Sequence, residues 1–316
     1  MTKEPDWEQR IGRRMRLRDL NVVFAVAESG SMGKAAERLR VTQSAVSQMI
    51  ADIESELGVR LFDRSRRGVE ATIYGQVLIR RGKAAFDELR HGIQEINFLR
   101  NEGVGEIRIG SPETIAASVL PSAIDTFSKQ WPNVLFKVDT FAGTASAEKL
   151  RDREIDLVFV REGPALDLLA ASDEFAIEKI FEDRLCVVVG SKSPWAKLKR
   201  PTFAALTDAP WVIVPYGWGD EVIPKAFETS GLPPPRIALK TFSMHLRLHL
   251  LSTGHFISAL PASVLRLHEQ RFSLKELPIK LPKSPYAVAI VTLKNRTLSP
   301  LVGQFILSAT KVLKEL

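Results

Sequence analysis

Apolar residues recur at helical spacing in three consecutive segments near the start of the chain. The predicted helices span about 20–29, 33–40 and 43–57. Gly30 provides a stop signal for the first helix. Ser31 and Thr42 precede the second and third helices, where their hydroxyls would accept a backbone N–H as N-caps. The pattern therefore predicts three short helices joined by tight turns.

The third predicted helix has two different faces. Val46, Ile50 and Ile53 belong to an apolar stripe typical of a packed helix. The opposite stripe is polar and nearly uncharged, and it consists of Gln43, Ser44, Ser47, Gln48 and Ala51. A face that contacts only water usually carries Lys and Glu, whereas short amides and hydroxyls suit base edges and phosphates. An ordinary amphipathic helix is the alternative interpretation of this helix taken alone.

Two short apolar segments after the third helix are predicted to form a hairpin. They cover Gly58–Arg64 and Val69–Thr72. Arg64, Arg66 and Arg67 gather at the tip, where guanidinium groups can contact phosphates or the minor groove. Because the three charges share one sign and adjoin the polar helix face, a DNA-contacting wing is favoured over a solvated loop.

A helical pattern without proline continues from Thr72 to about Asn101, which corresponds to a helix about 45 Å long. Its residues near heptad seam positions are Leu78, Gly82, Ala85, Leu89, Gly92, Ile96 and Leu99. A second copy of the helix is the simplest cover for this seam. One recognition helix contacts only a few base pairs, so paired half-sites bound by a dimer are the usual remedy.

Strands and helices alternate over residues 104–316, which favours a mostly parallel α/β arrangement. The predicted strands are 106–110, 134–140, 156–161, 184–189, 211–215 and 286–292. The predicted helices include 112–130, 145–153, 221–230 and 243–253. Ligands in such folds bind where strands end and helices begin. Candidate effector residues at these junctions are Ser111, Glu113, Thr114, Thr144, Arg161, Tyr216, Thr241 and Ser243.

The chemistry of these candidates leaves the ligand class open. Glu113 could accept sugar hydroxyls and Tyr216 could stack on a ring, whereas Arg161 would suit a carboxylate equally well. Ser111 is predicted to cap a helix whose first residue is Pro112, and simple capping is the alternative explanation of its hydroxyl. The ligand is therefore expected to be a sugar or a small organic acid.

Composition limits the class of protein more than it indicates a function. The net charge is +7, but residues 1–103 hold 18 Lys and Arg against 15 Asp and Glu, so bulk charge barely favours nucleic acid. No segment reaches the roughly 20 apolar residues of a membrane helix, and the start of the chain has no secretory core, so a cytoplasmic protein without a membrane partner is expected. Cys186 is interpreted as a small buried hydrophobe, and His245 and His249 as structural residues rather than metal ligands.

Residues 29–75 closely resemble the DNA-binding domain of LysR-type transcriptional regulators. The resemblance rests on Ala35-Ala36, on the run Thr42–Ser47, on the LGVRLFDR segment and on Thr72-x-x-Gly75. Ser44 stands where many members have proline, although serine is also frequent there. The resemblance implies that residues 31–50 form the helix-turn-helix. The expected DNA-contacting residues are Ser31, Lys34, Gln43, Ser44, Ser47, Gln48, Arg64, Arg66 and Arg67.

The rest of the chain resembles the two-lobed, periplasmic-binding-protein-like effector domain of the same family, in its galactose-binding-protein regulator type. The similar segments are 111–113, 193–196, 231–235, 241–243 and 290–300. The resemblance implies an α/β protein with an all-α winged helix-turn-helix domain at 1–71, a linker and dimerisation helix at 72–103, and an effector domain at 104–316. Lobe I is expected at about 104–178 and 284–316, and lobe II at about 179–283. A homodimer, often doubled to a homotetramer, is also implied.

These features together predict a sequence-specific DNA-binding transcriptional regulator that responds to a small-molecule effector. Closure of the lobes around the effector is expected to change the separation or angle of the DNA-binding heads. The expected partners are double-stranded promoter DNA with paired half-sites, the effector and further copies of the chain, with RNA polymerase as a candidate. No cofactor, metal or catalytic residue is expected. An enzyme fused to a DNA-binding head and a non-regulatory DNA-organising protein are the alternatives.

Overall fold

The computed structural model describes residues 15–65, 68–100, 103–141, 145–215, 218–282 and 284–314. The chain forms two compact units, residues 1–90 and 91–316. The first unit contains helices α1 (Leu17–Ser29), α2 (Met32–Leu39) and α3 (Gln43–Leu57) and strands β1 (Phe62–Ser65) and β2 (Gly68–Ala71). Helix α4 (Ile73–Leu99) begins in the first unit and ends in the second.

Local capping signals place the first three helices close to their predicted bounds. The Ser31 and Thr42 hydroxyls accept the backbone N–H groups of Lys34 and Ala45, at 3.5 and 3.2 Å, so both N-cap predictions are confirmed. Gly30 ends α1 with a φ of 60°, a conformation that glycine adopts without steric cost. Helix α3 has the predicted bounds.

The wing is shorter than predicted. Strands β1 and β2 pair antiparallel, with Phe62 opposite Ala71, but residues 58–61 are not part of the strand. The chain leaves α3 through a turn in which the Val59 N–H donates to the Glu54 carbonyl oxygen at 3.2 Å. Because this turn uses backbone groups that a strand would need, strand pairing begins only at Phe62.

The core of the first unit uses the apolar stripe of α3. Val46 and Ile50 are fully buried, and Ile53 is 7% exposed, as predicted. Leu78 packs against the same core, and Gly82 lies against the Phe24 ring. The prediction that Leu78 and Gly82 belong to an intermolecular seam is therefore wrong, because the unit's own core covers this side of α4.

The second unit contains two five-stranded sheets. The strands of the first sheet are β3 (Gly105–Ser111), β4 (Val134–Thr140), β5 (Leu157–Arg161), β6 (Phe175–Asp183) and β12 (Tyr286–Leu293). The strands of the second sheet are β7 (Leu185–Gly190), β8 (Trp211–Ile213), β9 (Ile237–Lys240), β10 (Ile257–Pro261) and β11 (Leu274–Leu277). The helices are α5 (Glu113–Ala116), α6 (Leu120–Gln130), α7 (Ser146–Arg151), α8 (Pro164–Ala170), α9 (Trp218–Thr229), α10 (Met244–Ser252), α11 (Ala262–Phe272) and α12 (Pro300–Lys314). Each sheet with its helices forms one lobe.

The sheets are mixed rather than mostly parallel. Their strand orders are β4-β3-β5-β12-β6 and β11-β7-β10-β8-β9. Strands β3, β4 and β5 are parallel, as are β8, β9 and β10, but β12 runs antiparallel to both β5 and β6. The chain leaves the first sheet along β6 and returns along β12, so these two strands must run in opposite directions. The sequence did not predict β6, β9, β10 or β11. Three of the four antiparallel pairs involve one of these strands, and for the fourth, β5 with β12, alternation along the chain carries no information about strand direction.

The change of sheet occurs between Asp183 and Leu185. The sequence placed the change of lobe near 178, within β6. One apolar cluster contains residues of both sheets, including Phe159 and Val288 from the first and Val187 and Trp211 from the second. The two-lobed α/β prediction is confirmed, and the lobes share part of their core.

A single helix predicted over 112–130 is divided into α5 and α6. Pro121 has no N–H, so it cannot donate to the Ala117 carbonyl oxygen as a continuous helix would require. That oxygen contacts His268 Nε2 at 2.8 Å instead. Because the helix is interrupted here, the Ala117 carbonyl oxygen of the first lobe can contact His268 of α11 in the second lobe.

A buried carboxylate connects several elements of the first lobe. Asp156 is fully buried and accepts hydrogen bonds from Arg108 Nη2 at 2.8 Å and Arg296 Nη2 at 2.6 Å. His91 Nε2 of α4 lies 4.0 Å from the same carboxylate. Burial alone raises the pKa of Asp156, but hydrogen bonds from His91 and Arg108 and the two guanidinium charges hold it well below its usual range.

Replacing Asp156 by Asn should destabilise the second unit by about 3–5 kcal/mol, because the buried Arg296 guanidinium would lose the carboxylate charge to which it donates. The carboxylate's folded pKa lies below its unfolded value of about 3.9, so its stabilisation is present above that pH and lost as the pH falls. Urea unfolding of wild type and Asp156→Asn at neutral and acid pH measures both effects. The control is Asp125→Asn, whose partner Lys129 is exposed, with an expected loss below about 1 kcal/mol. Equal losses in the two variants would contradict the prediction.

Replacing Gly82 by Ala should destabilise the first unit by about 1–3 kcal/mol, because a Cβ there would lie 2.9 Å from Phe24 Cζ. Gly92 is in the same helix, and a Cβ there meets nothing within 4 Å. Gly92→Ala should therefore be stabilising by up to about 1 kcal/mol. Thermal unfolding of both variants tests this, and shifts of the same sign and size would refute it.

Candidate functional site

The polar face of α3 is turned away from the core and is available for contact. Gln43, Ser44 and Gln48 are exposed, and Ser47 is half-buried. From α2, Lys34 is also exposed, whereas Ser31 is half-buried and its hydroxyl caps that helix.

Short hydrogen bonds organise two side chains on this face. The Ser44 hydroxyl lies 2.9 Å from the hydroxyl of the helix cap Thr42. Gln48 Nε2 donates to Asp52 Oδ1 at 2.8 Å, one turn further along α3. This bond uses one amide donor of Gln48 and turns its carbonyl oxygen away from Asp52, so the side chain presents both an acceptor and a remaining donor.

The wing is anchored to the turn between α1 and α2. Val69 N–H donates to the Gly30 carbonyl oxygen at 2.9 Å. Gly68 has a φ of 132°, and a Cβ there would lie 2.8 Å from the same oxygen, so this position requires glycine. Arg64 lies in β1 with an exposed side chain. Arg66 and Arg67 lie outside the described residues.

A carboxylate of α3 holds the start of the wing. Glu54 Oε1 accepts the backbone N–H groups of Leu61 and Phe62, at 2.7 and 3.1 Å. The wing therefore moves with the helix that carries the polar face. Sequence reasoning missed Glu54, because an acidic residue near the end of an amphipathic helix resembles an ordinary solvated position.

In the second unit, the parallel strands β3, β4 and β5 end at one edge of the first sheet, and four predicted effector residues lie there, of which Glu113 is the half-buried first residue of α5. Ser111 ends β3 and is fully buried, and its hydroxyl donates to the Pro112 carbonyl oxygen at 3.1 Å. Ser111 does not cap α5, because Pro112 occupies the N-cap position and the helix begins at Glu113, so the capping prediction is wrong. Thr114 is 7% exposed, and its hydroxyl is buried without a hydrogen-bond partner. Arg161 ends β5 and is half-buried.

The two described effector candidates of the second lobe use their hydroxyls in local hydrogen bonds at the start of α10. The Thr241 hydroxyl accepts the Ser243 N–H at 3.1 Å, and the Ser243 hydroxyl accepts the Leu246 N–H at 3.2 Å. Thr241 is half-buried and Ser243 is exposed. The structure thus brings them to the start of α10 rather than leaving their oxygens free. Thr144 and Tyr216 lie outside the described residues.

Arg247 of α10 is a candidate site residue that sequence reasoning missed. It is 4% exposed, and its Nη2 donates to the Ser258 hydroxyl at 2.8 Å and to the Ala259 carbonyl oxygen at 2.5 Å. Its Nε is buried without a hydrogen-bond partner. Burial, and then the charge of Arg161, lowers the pKa of Arg247 to about 10. One sequence signal could have identified it, namely an arginine within the mostly apolar first turns of the helix that follows the Ser243 cap.

The two lobes are also joined close to Arg161. Asp183, at the end of β6, accepts the Ser263 hydroxyl at 2.6 Å and the Ser263 N–H at 3.3 Å, at the start of α11. Burial is the main cause that raises the pKa of the Tyr286 hydroxyl. The charge of Asp183 raises this pKa further, and the charge of Arg161 lowers it. Arg161 therefore lies beside the connection between the lobes.

Cys186 is a structural residue of the second sheet. It is fully buried, and its thiol donates to the Leu260 carbonyl oxygen at 3.2 Å. Burial raises the pKa of the thiol to about 12, which disfavours the reactive thiolate. The prediction of a buried hydrophobe is confirmed.

Two family models match the chain along nearly its whole length. The model for bacterial regulatory helix-turn-helix proteins of the lysR family matches residues 17–76. The model for the LysR substrate binding domain matches residues 100–314. The gap between the two matches, residues 77–99, covers most of α4.

Curated relatives carry similar descriptions. The HTH-type transcriptional regulator GbpR of Azospirillum brasilense is 28% identical over 91% of this chain and 83% of its own length. The dual regulator GltC of Bacillus subtilis is 28% identical over 92% of this chain and 95% of its own. The Escherichia coli regulator YeiE is 30% identical over 84% of this chain and 87% of its own.

Solved structures share the fold. The crystal structure of CbnR, a LysR family transcriptional regulator, superposes with a TM-score of 0.64 at 23% identity, covering 95% of this chain and all of CbnR. Full-length CbnR in complex with its target DNA gives a TM-score of 0.63 at 22% identity, covering 94% of this chain and all of that one.

Replacing Glu54 by Ala should weaken binding to all DNA sequences about tenfold, because two backbone N–H groups at the start of the wing would lose their acceptor. Glu54→Gln is the matched control, since it removes the same charge but keeps an acceptor oxygen, and it should retain most of the affinity. Fluorescence anisotropy with specific and scrambled duplexes measures both. Equal affinities for the two variants would refute a positioning role for Glu54.

Proposed function

This chain belongs to the LysR family of bacterial DNA-binding transcriptional regulators, and we propose that α3 and the wing recognise its promoters under the control of a ligand held between the lobes. The observation that carries the first part is the exposed and nearly uncharged polar face from Gln43 to Gln48, beside an exposed Arg64. Such a face is unusual for a helix that contacts only water.

Different roles are proposed for the two groups of DNA-contacting residues. Gln43 and Gln48 would contact base edges, because an amide can pair bidentately with adenine. Ser31, Lys34, Ser44 and Ser47 would fix the helix against phosphates. Arg64, Arg66 and Arg67 would supply sequence-independent attraction to the backbone.

We further propose that the protein binds DNA as a homodimer or homotetramer through α4. This helix carries a row of apolar side chains that are between 46% and 72% exposed, namely Ile73, Tyr74, Val77, Leu89, Ile93, Ile96 and Leu99. A row of this kind along a 27-residue helix favours a partner surface of the same composition. The protein would then recognise paired half-sites.

The effector, a sugar or a small organic acid, would bind at the interlobe site, which we define as Thr114 and Arg161 of the first lobe and Arg247 of the second. The buried hydroxyl of Thr114 without a partner supports this assignment, because such a group is costly unless a ligand or water satisfies it. Ser111, Glu113, Thr144, Tyr216, Thr241 and Ser243 are the further proposed lining residues.

The proposed setting is cytoplasmic, with promoter DNA, the effector and further copies of the chain as partners and RNA polymerase as a candidate. No helix among the described residues is long and apolar enough to cross a membrane. The proposal assigns the protein a regulatory role without catalysis.

The DNA assignment is tested by selection of bound sequences with Gln43→Ala and Arg64→Gln. Gln43→Ala should lose preference at one position in each half-site, worth about 1–3 kcal/mol. Arg64→Gln should keep the selected motif, weaken all sequences alike and reduce the salt slope by about 0.9.

Arg80→Gln is the control, because it removes the same charge from an exposed position of α4. If Arg64→Gln lost the selected motif, the sequence-independent role of Arg64 would be contradicted. If Gln43→Ala kept the full motif, the base-contacting role of Gln43 would be contradicted. Selected sequences without paired half-sites would contradict the proposed oligomer.

A further inference from the structure

A cavity of about 320 Å³ lies at the surface of the second lobe, where the loop after β7 meets the last turns of α10 and α11. Its lining residues are Lys192, His249, Ser252, Arg271, Phe272 and Ser273. Three of them bear basic groups, two bear hydroxyls and one is aromatic, and none is acidic. This volume is at the lower end of the range for ligand sites, which fits a small and negatively charged molecule.

The cavity is separate from the interlobe site. Ser243 lies at the start of α10, whereas His249 and Ser252 lie in its last turns. The helix has nine residues, so its two ends are about 12 Å apart. Arg247 is only two positions from His249, but residues at this spacing do not face the same side of a helix, and Arg247 is buried whereas His249 is exposed.

The basic groups of the cavity have no acidic partner. Lys192, His249 and Arg271 form no ion pair with any residue that the structure describes, and the Ser273 hydroxyl forms no hydrogen bond there. Other basic residues of the same lobe do have such partners, as Arg184 has in Glu276. The cavity therefore presents unneutralised positive charge together with a hydroxyl donor.

Ring contacts hold two of the basic groups in place. The His249 ring packs edge-on against Phe272, with the two centroids 5.1 Å apart. The guanidinium carbon of Arg271 lies 5.6 Å from the centroid of the same Phe272 ring. Phe272 is 8% exposed and belongs to the core of the lobe, so the ring that both groups contact is itself fixed. Basic groups that are already positioned bind a ligand at a lower cost in entropy.

Backbone contacts bring Lys192 to the same place. The Ser191 N–H donates to the Ser273 carbonyl oxygen at 2.7 Å, which continues the antiparallel pairing of β7 with β11. Gly190 lies against the end of α10, because a Cβ there would be 2.3 Å from the Leu251 carbonyl oxygen. The loop that carries Lys192 is therefore attached to the ends of both helices.

Charge balance indicates a phosphate group as the ligand. The carboxyl ends of α10 and α11 contribute about half a negative charge each, so one positive charge would offset them. Lys192 and Arg271 supply two, and a protonated His249 would supply a third. The net charge is then about +1 to +2, which matches the roughly −1.5 to −2 of a phosphomonoester at neutral pH. A carboxylate would balance only the state with a neutral imidazole.

We propose that this cavity is a second ligand site of the protein and binds a phosphate group, either of a small phosphorylated metabolite or of inorganic phosphate. Arg271 would donate to two phosphate oxygens through its planar guanidinium, and Lys192 to a third. His249 and the Ser273 hydroxyl would donate to the remaining acceptor positions. The proposal goes beyond the interlobe effector site and does not depend on it.

The test is isothermal titration calorimetry of the full chain at constant ionic strength and neutral pH, with inorganic phosphate, glycerol phosphate and acetate as probes. Calorimetry is preferred to thermal unfolding, because phosphate stabilises folded proteins non-specifically. Phosphate should bind saturably and about tenfold more tightly than acetate. Glycerol phosphate identifies the source, since tighter binding than inorganic phosphate indicates a phosphorylated metabolite and weaker binding indicates free phosphate.

Three variants locate the binding in this cavity. Arg271→Gln should weaken phosphate binding about tenfold, because a bidentate charged contact is lost. Arg200→Gln is the control, since it removes the same charge from an exposed position of the second lobe, and it should change the affinity less than about twofold. Ser273 has a φ of 49°, which glycine adopts without steric cost, so Ser273→Gly should weaken binding about threefold without lowering Tm.

The proposal is overturned if phosphate does not bind saturably, if acetate binds as tightly as phosphate, or if Arg271→Gln keeps the wild-type affinity. The phosphates of DNA are the competing occupant, and the affinity for a random-sequence duplex tests them. This affinity should be the same for wild type and Arg271→Gln. A loss of duplex binding as large as the loss of phosphate binding would assign the cavity to the DNA backbone and refute a small ligand.

Discussion

The burial of the Asp156 carboxylate is the interaction on which the first lobe depends. Its charge can remain in a dry interior only because Arg108 of β3 and Arg296, which lies between β12 and α12, surround it. His91 adds the last part of α4 to the same cluster. The cluster thus fixes a parallel strand, the returning segment and the long helix relative to one carboxylate, which positions the edge of the sheet where Ser111 and Arg161 lie.

Asp156 and Arg247 are two buried ions of the second unit with different surroundings. Both are buried and both are hydrogen-bonded, but Asp156 is surrounded by opposite charge and Arg247 faces a like charge. A fully compensated ion stabilises the fold and has no need of a ligand. Arg247, whose buried Nε has no hydrogen-bond partner, is instead unfavourable for the fold.

The first unit applies a similar principle with backbone groups. The Glu54 carboxylate satisfies two N–H groups at the start of the wing, and Gly30 accepts the N–H of Val69 at its other strand. These bonds attach the wing to both α3 and the α1–α2 turn. An exposed polar helix face and an arginine-bearing hairpin are then held as one rigid surface, which sequence-specific recognition requires.

The helix-turn-helix could be predicted from the sequence, because caps, stop signals and apolar spacing are local. The Ser31 and Thr42 caps and the bounds of α3 depend only on near neighbours. Alternating elements also predicted an α/β arrangement, and the resemblance to the LysR effector domain implied the two lobes. The antiparallel pairing of β12 follows from long-range contacts, since strand direction depends on where the chain returns. For the same reason, the sequence wrongly placed Gly82 in an intermolecular seam and did not identify Arg247 as a candidate site residue. What a residue faces, whether the Phe24 ring or the charge of Arg161, is set by segments distant in the chain, and periodicity carries no information about them.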